Sequence, residues 1–154
     1  MAPMLGRLMA LAQQQRPPLP PKAVLTPVPL HPNRLRKRGF NQALLLTHHL
    51  RRNLPNPQPE VRPEWLRRIR DTPPQTELPL EERLRNPENA FAAAPEVQGR
   101  TVIVVDDVMT TGSTLNAIVR TLQAQGVREV SAWVLCRRVR EPEVHDSAGV
   151  SGSH

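Results

Sequence analysis

Residues 102–114 read VIVVDDVMTTGST. Thr101 to Val105 is a continuous β-branched run, the composition of a parallel strand covered on both faces, where alternation disappears because neither face meets water. Two acids follow, Asp106 and Asp107, and then a hydroxyl-rich turn holding one glycine. From Leu115 the apolar residues Ile118, Val119 and Leu122 recur at helical spacing, and Gly126 stands where a helix C-terminus is capped. Val130 to Leu135 reads as another strand. Strand, turn, helix and strand make a βαβ unit, which crosses over right-handed. The expected class is therefore α/β, with a central, mostly parallel sheet flanked by helices.

In such a unit ligands sit at the carboxyl ends of the strands, where the loop enters the helix. Asp106 and Asp107 fall at that edge. The residues Thr110, Thr111, Gly112, Ser113 and Thr114 form the turn into the helix, whose first N–H groups have no intrahelical partner. Those donors, the helix dipole and the hydroxyls make a cradle for an anion, and Gly112 lets the backbone approach it closely. Carboxylates beside a phosphate site would repel the ligand unless they had another task. Accepting hydrogen bonds from vicinal hydroxyls is such a task, each bond to an ionised acceptor contributing about 1.5–3 kcal/mol. Phosphate on one side and diol on the other describe a ribose 5-phosphate. The stretch lacks the G-x-x-x-x-G-K-[ST] of a P-loop, which argues against a nucleoside triphosphatase.

Working outward, Leu5, Leu8, Met9 and Ala12 share a helical face near the start, and the tract Pro17 to Pro21 ends that helix. Ala23 to Val28 reads as a buried strand, followed by a loop, PLHPNRLRKRG. Asn41 can cap the next helix, which runs to about Leu50. Leu54 to Pro63 is too rich in proline to continue it. Glu64 to Ile69 is a weaker strand candidate, and residues 70–90 read as a polar excursion with one short helix near Leu80 to Arg85. The reading is one domain over residues 1–140 and a patternless, disordered tail over 141–154.

Composition narrows the class. The 154 residues include 18 prolines against seven glycines, and aromatics make up only 3%, so the core must be mostly aliphatic. The one cysteine, Cys136, excludes an internal disulfide and a multi-cysteine metal site, and fits a reducing compartment. No apolar run is long enough for a membrane span and no cleavage pattern follows a charged start, so the expected setting is soluble and cytoplasmic. A formal net charge of +7 suits any polyanion without choosing among them. Trp65, Trp133 and Phe40 are expected in the core, and His48 and His49 on an exposed helix flank. With so few aromatics, stacking platforms for single-stranded DNA are poorly supplied.

The motif VIVVDDVMTTGST closely resembles the phosphoribosyl-pyrophosphate (PRPP) signature of type I phosphoribosyltransferases. Two further features resemble the ComF (competence protein F) branch: the run PVPLHPNRLRKRGFNQALLL, residues 27–46, and the spaced set Arg68, Thr72, Gln75, Leu78, Arg83, Asn86 and Phe91. The resemblance spans about Leu5 to Arg138. It implies that Asp106 and Asp107 are the catalytic acids holding the ribose hydroxyls, and that residues 110–114 hold the 5-phosphate. By the same likeness Arg34 and Arg38 lie in the loop that meets pyrophosphate. Arg68, Gln75 and Arg83 belong to a flexible loop that closes over the ligand. Mg2+ is expected with PRPP. ComF relatives usually begin with a four-cysteine zinc module; this chain starts near the first helix without those cysteines, so no zinc is expected in it.

The resemblance implies transfer of a phosphoribosyl group from PRPP to an acceptor the motif does not define, in a cytoplasmic protein linked to natural competence and DNA uptake. The rival is a non-catalytic competence factor that binds nucleotide or single-stranded DNA and acts through a helicase or recombination partner. Neither reading inserts the chain in a membrane.

Overall fold

A computed structural model describes residues 2–14, 18–70, 90–109 and 112–137. In chain order its elements are α1 (Ala2–Gln14), β1 (Val24–Pro27), α2 (Pro32–Arg38), α3 (Gln42–Arg52), β2 (Glu60–Val61), β3 (Leu66–Arg68), β4 (Phe91–Ala93), β5 (Thr101–Met109), α4 (Ser113–Ala124) and β6 (Glu129–Arg137). The short helix expected near Leu80 to Arg85 and the tail beyond residue 140 lie outside the described residues.

Four strands form one sheet in the order β2-β1-β5-β6, and every neighbouring pair is parallel. Val24 lies opposite Val102 and Pro27 opposite Val105. Strand period two splits the β-branched run between two apolar layers. Ile103 and Val105 pack with Ala10, Leu25, Leu46, Leu50 and Trp133 on the side of α1 and α3. Val102 and Val104 pack with Leu115, Ile118, Leu122, Trp65 and Phe91 on the other side, beneath α4. Both faces of the sheet are covered, as the continuous apolar run required. Trp65 and Trp133 are buried, in keeping with their reading as core.

Several expectations need correcting. The stretch after β1, read as loop, contains the seven-residue helix α2. Its start is fixed by Pro32 in the first turn and by His31, whose Nδ1 accepts the Asn33 N–H at 3.2 Å; Gly39, at φ 77°, stops it. No α2 residue is buried, so no apolar stripe announced it. Glu64 to Ile69 is not a strand throughout: Pro63–Trp65 is a 3-10 turn, and β3 pairs antiparallel with β4 in a separate two-stranded sheet. The proline-rich stretch before it contributes β2, at the edge of the main sheet.

The inward face of α1 is shifted, though Met9 packs against the core as expected. Leu8 is 52% exposed, as are Met4 (61%) and Leu11 (56%), Ala12 is exposed, and Ala10 is buried instead. The reason is the closeness of α3. A Cβ on Gly6 would stand 2.7 Å from the His49 Cβ and 2.9 Å from the Leu50 nitrogen, so only small residues fit the contact. His49 is accordingly half-buried, while His48 is exposed as expected. Phe40, expected in the core, is 48% exposed.

Candidate functional site

Strand order creates the site. From β1 the chain leaves through α2 and α3 and returns at β2 on one side; from β5 it leaves through α4 and returns at β6 on the other. The direction of winding reverses between β1 and β5, and in open α/β sheets the carboxyl ends of the strands at such a switch point are where ligands bind.

The exit from β1 is anchored there. The Val28 N–H donates to the Val105 carbonyl at 2.9 Å, which holds the exit from β1 beside Asp106. Asn41 Nδ2 donates to the Val28 carbonyl at 3.1 Å, and Asn41 Oδ1 accepts the N–H groups of Ala43 (3.0 Å) and Leu44 (3.4 Å). One side chain thus caps α3, as its sequence position predicted, and ties the end of α2 back to the sheet edge. Local pattern carries no sign of this second bond, because its partner lies 13 positions upstream.

The β5 strand continues through both acids to Met109, further than the run Thr101 to Val105 suggested. The Asp107 N–H donates to the Asp106 carboxylate at 2.9 Å, and both residues are half-buried. Burial, first, and then the hydrogen bond and charge of the Asp107 carboxyl push the Asp106 carboxyl up to about 7; the Asp107 backbone N–H opposes this. Gly112 is the N-cap of α4 and takes the left-handed conformation, φ 77°, where a side chain would be strained. Ser113 and Thr114 are half-buried in the first turn, at the positive end of the helix dipole.

The structure therefore brings Asp106, Asp107, Gly112, Ser113 and Thr114 to one edge, with the loop before α2 beside them. Arg34 is half-buried on α2 and Arg38 is exposed near its end. Arg68 ends β3, its guanidinium over the Phe91 ring at 5.5 Å and its Nε donating to the Arg70 carbonyl at 3.2 Å. It stands at the foot of segment 71–89, where the Ile69 N–H meets the Ala90 carbonyl at 2.7 Å. Thr110, Thr111, Gln75 and Arg83 lie outside the described residues. No three His, Cys, Asp or Glu side chains gather as a metal cluster among the described residues.

Residues 45–153 match the family described as phosphoribosyl transferase domain. The chain is 42% identical over 120 residues to competence protein F of Haemophilus influenzae, a match covering 76% of this chain and 51% of that protein. It is 43% identical over 110 residues to DNA utilization protein YhgH of Escherichia coli K12, covering 71% and 47%. With competence protein ComFC of Bacillus subtilis the identity is 36% over 115 residues, covering 74% and 44%. The chain thus spans about half the length of the curated relatives it matches. Among solved structures it resembles an allosteric regulatory enzyme of purine biosynthesis (TM-score 0.56, 18% identity, 87% of this chain, 25% of that one). It also resembles the glutamine PRPP amidotransferase of B. subtilis (TM-score 0.54, 20% identity, 87% and 26%). At those identities the likeness concerns the fold. Sequence and fold agree: the chain belongs to the phosphoribosyl transferase domain family, in its ComF branch.

Proposed function

We propose that this chain binds PRPP, brought in with Mg2+ on its own oxygens, in the crevice between β1 and β5, and works in the handling of incoming DNA during competence. The observation that carries the reading is the meeting of the Asp106–Asp107 pair with the start of α4 at the point where the winding of the sheet reverses. The acids accept hydrogen bonds from the ribose hydroxyls, and the α4 start with the Thr110–Thr114 hydroxyls holds the 5-phosphate. The loop leading into α2 and the α2 residues Arg34 and Arg38 face the pyrophosphate. Mg2+, when bound with PRPP, neutralises charge on the departing pyrophosphate. The protein supplies position and electrostatics rather than a covalent nucleophile. The names of the relatives support the link to competence and DNA utilization.

Titration calorimetry with PRPP, with and without Mg2+, tests the reading. One saturable site that disappears in Asp107→Ala supports it; no heat with the parent protein overturns it. A second reading, a binding module without turnover, is favoured by α2, a basic helix with no buried residue that faces solvent on the rim of the site. Pyrophosphate release across a panel of nucleobases, ammonia and glutamine separates the two. Turnover with any acceptor identifies a transferase, and PRPP binding without turnover identifies the module.

A further inference from the structure

At the amino edge of the sheet, opposite the PRPP crevice, a cavity of about 980 Å³ opens between the segments 18–23 and 54–60. Arg100, on its wall, enters β5 six residues before Asp106, and at about 3.3 Å per strand residue the two ends lie roughly 20 Å apart. The cavity is therefore separate from the site described above. Its size is at the upper end of the range that small-molecule pockets occupy, about 300–1,000 Å³.

The walls are preformed. Six of the 15 lining residues are prolines, whose backbone φ is fixed and whose rings lose little freedom when a guest packs on them. Hydrogen bonds shape both segments: the Ala23 N–H closes a turn within the first on the Pro20 carbonyl at 3.1 Å, and Arg51 Nε ties the second to α3 through the Pro59 carbonyl at 2.8 Å. Leu19, Ala23 and Leu54 complete the apolar surface.

Charge on the wall is one-sided. Among the described residues the lining carries two cations, Lys22 and Arg100, and one carboxylate, Glu60. Glu60 is already taken by Arg62, at 2.8 Å. Arg100 lies over the Trp65 ring at 5.2 Å, which leaves its guanidinium without a carboxylate among the described residues, and Lys22 has none either. Lys22 is also the one non-glycine residue with positive φ (63°) among the described residues. Such backbone costs about 1 kcal/mol or more, persists where the surroundings impose it, and clusters at ligand-binding places.

We propose that this proline-walled cavity is a second ligand site, for a small aromatic anion whose ring packs between the two proline segments and whose acid group meets Lys22 and Arg100. Flat C–H faces suit a ring, and two uncompensated cations in a concave apolar wall suit one carboxylate, sulfonate or phosphate.

The test uses the full chain and two fluorescent probes of nearly one shape, 8-anilinonaphthalene-1-sulfonate and the uncharged N-phenyl-1-naphthylamine. The sulfonate is expected to saturate one site per chain, undisplaced by PRPP. Lys22→Asn, which keeps a residue at home in left-handed backbone, and Arg100→Gln are each expected to weaken sulfonate binding about tenfold, one charge-assisted contact apiece, while the uncharged probe keeps its affinity. Gln58→Trp, which fills the cavity from its rim, is expected to abolish both. Sulfonate affinity unchanged in both cation variants overturns the proposal. So does binding that survives Gln58→Trp, which would put the dye elsewhere, such as on the exposed face of α1.

Discussion

Burial and the neighbouring Asp107 carboxyl push Asp106 up to about 7, against an ordinary value of 3.8, so the residue proposed to grip the ribose diol is half protonated near neutral pH. The unfolded chain releases this proton near 3.8 and the folded chain near 7. Between the two the folded state holds more protons, so stability falls as pH rises through that window. Asp106→Asn cannot ionise. Its melting temperature is expected to exceed that of the parent by about 2–4 °C at pH 8 and to match it at pH 4, and thermal unfolding at the two values checks this. The ligand asks the opposite of the site, since the diol needs an ionised acceptor. PRPP affinity of the parent should therefore rise between pH 6 and 8, measured by calorimetry; a flat profile would remove Asp106 from the contact. Phe40 shows how far a single side chain can depart from its sequence reading. Aromatic and flanked by a helix cap, it reads as core, yet it is 48% exposed, because Asn41 spends its bonds tying the backbone to Val28 and leaves the ring outside. Phe40→Ala should cost well under 1 kcal/mol. Leu50→Ala, at a fully buried position against β5, should cost about 2–5 kcal/mol, and urea titration of both variants makes the comparison.

Among the elements, α1 and α3 approach closely, and the contact rests on a glycine. Gly6→Ala places a methyl 2.7–2.9 Å from His49 and the Leu50 nitrogen, which are backbone or Cβ atoms that cannot swing aside. The expected loss is about 1–3 kcal/mol, read as a lower urea midpoint, and a variant as stable as the parent would show that α1 can shift at no cost. The amphipathic stripe read from Leu5 to Ala12 correctly identified a helix and placed Met9 against the core, but Leu8 and Ala12 are exposed and Ala10 is buried. Periodicity registers large apolar residues and passed over the small Gly6 and Ala10. Helix α4 shows the reverse case: Leu115, Ile118 and Leu122 are buried as their spacing predicted, because a helix lying over an aliphatic sheet face has room for large side chains.

For the molecule as a whole, ligand binding and stability are linked. If PRPP binds only the folded chain, PRPP with Mg2+ at about 100 times its dissociation constant adds about 2.7 kcal/mol. That should raise the melting temperature of a chain this size by several degrees, with no rise in Asp107→Ala. No helix among the described residues is long and apolar enough to cross a membrane.

The βαβ unit at residues 101–135, the α/β class and the acid–hydroxyl–glycine motif were legible in the sequence, because each is written in consecutive residues through strand composition, helical period and cap chemistry. The partners of those residues were not. Val24 meets Val102, 78 positions away, and this pairing sets β1 beside β5 and carries the β1 exit, which leads into the basic helix α2, to the strand that bears the acids. The proline segments at 18–23 and 54–60, two tracts that separately read as connections, enclose a cavity only because β1 and β2 begin at the same edge. Local pattern records what a residue needs from its immediate neighbours. Which distant segment meets that need depends on burying both faces of one sheet at once, and only the folded chain settles it.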